Sequence, residues 1–136
     1  GQAYQIAFDI TFASAHAQVG GLGGAPYLKA GAAAVEPTAV IDNNGYLRMN
    51  VDKGNQANSG PAATVIGDIA NDLPADEAIA KGFPYVYVRR QGVHGPRVVA
   101  GSDAQLWLIV GTDSGFEGPT AIFYQRIEVR LLPITL

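Results

Sequence analysis

The chain has 136 residues, with nine basic and twelve acidic side chains, a formal charge of −3 and no cysteine. That length supports one domain with its own hydrophobic core, and the missing cysteine removes disulfide frameworks and thiolate metal sites. Scattered Lys and Arg on a net negative chain argue against a nucleic-acid partner, whose phosphates require clustered cations.

Residues 4–13 alternate strictly. Tyr4, Ile6, Phe8, Ile10 and Phe12 fall on one face, and Gln5, Ala7, Asp9, Thr11 and Ala13 on the other, the period of two that a half-buried strand requires. The chain then turns small and ends a linker in a glycine run, with Gly20, Gly21, Gly23 and Gly24 around Leu22. With little side chain to bury, this run reads as a mobile loop or an arm that orders on a partner. Tyr27 and Leu28 begin a short strand. Residues 38–41 and 46–51 read as a hairpin about Asp42-Asn43-Asn44-Gly45, because Asn and Gly tolerate the positive φ of a tight turn.

Residues 52–61 are polar and read as a loop, and 62–67 as a short apolar strand. The 73–82 stretch places Pro74 near its start, Asp76 and Glu77 in its first turn, then Lys81 and Gly82. Those are the start and stop signals of one short helix. Residues 85–90 alternate Tyr85, Tyr87 and Arg89 with Val86, Val88 and Arg90, which predicts a strand. Residues 91–96 read as a turn and 97–100 as a brief strand. The 105–111 segment is apolar on both faces, as expected of a strand covered on both sides. The last strand runs from Ala121, with Phe123, Ile127, Val129 and Leu131 alternating with Tyr124, Arg126, Glu128 and Arg130. Together these elements predict an all-β, jelly-roll-like antiparallel β-sandwich of about eight strands with one short helix, in a single domain over 1–136.

Chemical motifs are weak beside this pattern. His16 and His94 are the only imidazoles, and the triple Ser102, His94 and Asp103 lacks the Gly-x-Ser-x-Gly elbow of a nucleophile. The acids Asp68, Asp72, Asp76 and Glu77 do not have EF-hand spacing, and the glycine run misses the dinucleotide fingerprint. The expectation is a protein that is not an enzyme and holds no cofactor or metal. No run of eighteen apolar residues is present, and Gly1, Gln2, Ala3 and Tyr4 lack the basic and apolar segments of a signal peptide, so a soluble chain without a membrane partner is expected.

What remains is recognition. Only 15% of residues are charged while 48% are hydrophobic, which favours a folded chain whose surface is partly covered by something else. Tyr85 and Tyr87 share a predicted face with Arg89, and Tyr124 shares another with Arg126 and Arg130. Tyr and Arg are enriched where proteins meet, since each joins a large apolar area to directional hydrogen bonds.

Long terminal strands, low charge, a glycine-rich arm and no catalytic constellation give a build that resembles the cement or decoration proteins that stud the capsids of tailed bacteriophages. The resemblance implies a structural protein that bridges neighbouring capsid subunits and stabilises the shell. Its implied partners are the major capsid protein or further copies of itself in a homo-oligomer. Its implied location is the outer surface of a virion assembled in the host cytoplasm. The expected contact residues are Tyr85, Tyr87, Arg89, Tyr124, Arg126 and the glycines Gly20, Gly21, Gly23 and Gly24, acting by burial and β-augmentation. A different reading is a carbohydrate-binding module or small lectin. The apolar 106–110 strand followed by Gly111-Thr112-Asp113-Ser114-Gly115 is similar to the strand and acidic loop of calcium-dependent sandwich lectins, without the Asp-Asn cluster that holds their metal.

Overall fold

A computed structural model describes residues 1–18, 24–116 and 118–135. The alternating first segment is strand β1 (Ala3–Ser14), followed by β2 (Pro26–Ala33), β3 (Ala39–Ile41), β4 (Leu47–Met49) and β5 (Thr64–Asp68). A single short helix, α1 (Ala75–Ala80), precedes β6 (Val86–Val93), β7 (Val98–Val99), β8 (Trp107–Ser114) and β9 (Ile122–Ile134). All pairings are antiparallel. The expected all-β sandwich with one short helix is the fold observed. Among the described residues no helix is long and apolar enough to cross a membrane.

In the first sheet β1 is central. β9 runs along one side of it for its full length, while β6 and then β7 share the other side. The second sheet has the order β5, β2, β8, and β3 with β4 forms a separate hairpin. The inner face of β1 supplies Ile6, Phe8, Ile10 and Phe12, which pack with Leu28, Ala30 and Ala32 of β2 and with Ile69, Val88 and Val98. Fully burying each of the large aliphatic and aromatic side chains contributes roughly 2–3 kcal/mol. The period-two reading of the first strand therefore locates the core correctly.

Three expectations change. The strand beginning at Tyr27 is not short but eight residues long and central, and it is buried on both faces. Its outer face is covered by the 52–63 segment, because a Cβ at Gly31 would lie 2.0 Å from the Ala62 carbonyl oxygen and the Lys29 ammonium donates to the carbonyls of Lys53 and Asn58. Small residues that look like linker are there to admit this close layer. β6 continues to Val93, through the stretch read as a turn. β8, expected to be covered on both faces, is an edge strand paired only with β2, and its Leu108 is exposed.

The sandwich is sealed along one side. β5 and β6 approach each other because two glycines remove the side chains that would hold them apart. A Cβ on Gly92 would sit 2.6 Å from Ile66 Cγ2, and one on Gly67, whose φ is +147°, would sit 2.7 Å from Arg90 Cδ. Arg90 then crosses the gap, donating from Nε to the Asp68 carbonyl at 3.0 Å and from Nη2 to the Asp68 carboxylate at 3.1 Å and the Ala70 carbonyl at 2.9 Å. Behind it, His94 is fully buried. Its Nδ1 lies 2.8 Å from the Thr64 hydroxyl and its Nε2 lies 3.1 Å from the Pro61 carbonyl.

Candidate interaction surfaces

The outer face of the first sheet carries Tyr85, Tyr87, Arg89 and Arg126, four of the nine residues expected to make contacts. Register places Tyr87 beside Ala13, Arg89 beside Thr11 and Gln91 beside Asp9, with Phe123, Arg126, Glu128 and Arg130 on the opposite flank. Asp9 sits in the middle and accepts a two-pronged bond from Arg89, at 2.9 Å from Nε and 2.5 Å from Nη2, plus a third from Gln91 at 3.2 Å. Hydrogen bonds and charge from Arg89 hold the Asp9 carboxyl below its usual range. Across from it, Glu128 is clasped by Arg126 and by Arg130. Three guanidiniums thus neutralise two directly opposed carboxylates. Between them lies a shallow trough of about 440 Å³ lined by Ala7, Asp9, Arg89, Gln91, Glu128 and Arg130.

At one end of this face the charge gives way to aromatics. Tyr85 and Phe123 meet edge to face with ring centroids 5.2 Å apart, and Tyr87 is 69% exposed. Aromatic rings beside arginines on an exposed sheet face have the composition of a protein contact.

The structure separates Tyr124 from Arg126, which the alternation had placed together. Thr11 is opposite Arg126 and Phe12 is opposite Tyr124, so Gln125 is an extra residue forming a β-bulge. The bulge exchanges faces. Tyr124 turns to the inner side of the sheet, where loss of water pushes its hydroxyl pKa up, and Phe123 turns to the outer side beside Tyr85. Gly20, Gly21 and Gly23 of the proposed arm lie outside the described residues, and Gly24 is half-buried in the turn before β2, beside Gln18.

A second surface was not singled out by the sequence reading. The β3–β4 hairpin forms as expected, its turn fixed by Asp42, whose carboxylate accepts from the Asn44 and Tyr46 amides. Among the described residues the hairpin makes no extensive contact with another strand or with the helix, and Lys53 lies beside Leu47 and Met49. Ile41 and Leu47, directly opposite each other, are each 72% exposed on one face with Met49. The signal was available as two short strands with apolar residues at consecutive positions, Val40 with Ile41 and Tyr46 with Leu47, and a single charge, Arg48, opposite Val40.

The third surface is the side of the sandwich opposite the sealed one. β8 and β9 are the edge strands there, and neither pairs with the other. The inner-face residues Ile127 and Leu131 of β9, opposite Ile10 and Ile6, remain 45% exposed, as does Leu108 of β8 at 47%. The two sheets meet along β5 and β6 and gape along β8 and β9.

The weaker chemical candidates have structural occupations. Both nitrogens of His94 are taken by Thr64 and Pro61, so this imidazole does not link Ser102 to Asp103. Asp68 is bound to Arg90. Asp113, in the segment similar to lectin loops, is held by Lys29 at 3.0 Å, Lys53 at 2.7 Å and the Gln56 amide at 2.9 Å. Burial opposes its ionisation, but those donors outweigh it and bring its pKa down to about 2. This cluster fastens the 53–58 segment to the back of the second sheet.

Comparison with protein-family profiles, with characterised sequences and with solved structures gives no match for this chain.

Proposed function

We propose that this chain is a non-enzymatic structural protein that binds and bridges neighbouring protein subunits, in the manner of the decoration proteins of bacteriophage capsids. The observation that carries the reading is the β3–β4 hairpin. A two-stranded hairpin is marginal in water on its own, and this one leaves Ile41 and Leu47 each 72% exposed on one face. Burial against a partner subunit would supply what the fold withholds. A bridging protein needs at least two contact surfaces, and the Tyr85, Tyr87 and Phe123 platform on the first sheet offers another. Low charge and an open outer face are in keeping with a broad protein contact rather than an enclosed site.

The second reading, a carbohydrate-binding module, draws on the exposed Tyr87 and Phe123 rings beside a polar trough, where a sugar ring could stack and hydrogen-bond. Calcium-dependent binding is disfavoured because two ammonium groups already neutralise Asp113.

The test is electron microscopy of particles that co-purify with the tagged full chain. The capsid reading expects the chain at symmetry-related positions on a protein shell, with occupancy lost on replacing Ile41 and Leu47 by Ser. Absence of shell association, together with saturable binding on a glycan array, would overturn it in favour of the carbohydrate reading.

A further inference from the structure

We infer that the free edge of β9 is a self-association site, through which two copies pair antiparallel about a two-fold axis at Val129 and merge their first sheets into one. This names a second copy of the chain as the occupant of one surface, and it holds or fails independently of shell binding.

A long strand with unpaired backbone groups is a template for another strand, and proteins that do not use it blunt it with proline, bulges or short length. β9 has thirteen residues and, among the described strands, pairs only with β1. Its interruptions are the bulge at Gln125 and Pro133, which lacks an amide donor. Between them residues 126–132 form an unbroken edge, and the midpoint of that segment is Val129.

Side-chain chemistry selects the same register. Antiparallel copies of one strand must place inner residues beside inner residues, because the side-chain period is two. A centre at Glu128 fails, since it opposes Glu128 to itself and Arg126 to Arg130. A centre at Ile127 pairs Arg126 with Glu128 but drives the next contacts into the bulge. The centre at Val129 pairs Glu128 of each copy with Arg130 of the other on the outer face, twice over. On the inner face it pairs Ile127 with Leu131 twice and Val129 with itself. Opposite charges and apolar pairs directly across an antiparallel ladder are favourable, and like charges there are unfavourable. The pairing also brings together the exposed Ile127 and Leu131 side chains, and it doubles the aromatic and arginine platform on one side of the joined sheet.

The test uses charge reversal read by sedimentation equilibrium. E128R alone sets arginines opposite arginines and R130E alone sets glutamates opposite glutamates, so each should weaken dimerisation by roughly tenfold or more. Mixing the two variants restores both pairs in a heterodimer, as does the doubly reversed chain E128R/R130E in a homodimer. Because the chain has no cysteine, Val129→Cys provides an independent check. Directly opposed residues fall within disulfide range, so mild oxidation should convert this variant to a covalent dimer, with circular dichroism confirming the fold. A wild-type chain that stays monomeric at high micromolar concentration would overturn the inference. So would dimers that survive E128R and R130E unchanged, or a folded Val129→Cys variant that oxidises no faster than Tyr87→Cys on the sheet face.

Discussion

The two long sides of this sandwich are built from opposite choices. Along β5 and β6, glycines at 67 and 92 let the strands approach, Arg90 bridges them with three hydrogen bonds, and His94 closes the corner against Thr64 and Pro61. Along β8 and β9 the same inner faces carry Leu108, Ile127 and Leu131, apolar and half open to water, and among the described residues the two strands share no ladder. The contrast teaches that exposure of hydrophobic residues here is not general looseness. One chain seals one side with polar groups that satisfy each other and leaves the other side apolar, which is the division expected of a subunit that completes its core on a partner.

The difference is sharpest at Arg90. Replacing it with Met removes the Arg90 donor from the Asp68 and Ala70 carbonyls and the ion pair from the Asp68 carboxylate, so unfolding in urea should show a loss of about 2–4 kcal/mol. A loss under 0.5 kcal/mol would mean the sealed side is held by something else.

Acid should attack the two sides in different windows. Asp113, which ties the back of β8 to the 53–58 segment, has a folded pKa of about 2 against an ordinary 3.8. Its folded pKa is depressed, so its contribution is full above pH 3.8 and disappears as pH falls to about 2. That contribution is about 2 kcal/mol, and in Asp113→Asn the slope of stability against pH over that window should flatten. His94 acts earlier. Desolvation lowers its pKa from the ordinary 6.5, so the unfolded chain binds the proton more readily than the folded one. Stability contributed by neutral His94 is therefore full above pH 6.5 and is lost as pH falls below it toward the folded value. Urea midpoints at pH 7.5 and 5.5 should differ in the wild type and converge in His94→Gln.

The smallest effect on the isolated fold belongs to the open side. Leu131→Ser in dilute solution should lower stability by only about 1 kcal/mol, since a residue 45% exposed gives up about half of the burial of a core leucine. Its self-association should weaken all the same. A loss of several kcal/mol would show that Leu131 is core, and that the gap between β8 and β9 is closed in solution.

Much of this was legible from the residues. Alternation marked β1 and its buried face, and the Asp42-Asn43-Asn44-Gly45 turn marked the hairpin, because both signals are local. The central strand β2 was not legible beyond its start. Its Ala and Gly residues carry no periodicity, and its outer face is covered by a distant segment through Gly31 and a buried Lys29. The face exchange at Tyr124 was hidden for a related reason, since an extra residue such as Gln125 declares itself only against the partner strand. The edge status of β8 likewise depends on a missing neighbour, and an apolar run looks the same whether both sides are covered or one waits for a partner. Of the expected contact residues, Tyr85, Tyr87 and Arg89 do share one face, whereas Tyr124 and Arg126 do not.

The most direct measurement is amide hydrogen exchange of the wild-type chain at two concentrations a hundredfold apart. The account predicts that exchange in the 126–132 segment of β9 accelerates on dilution while β5 and β6 keep their protection unchanged. Exchange in β9 that is independent of concentration, or a change spread equally over both sides of the sandwich, would contradict it.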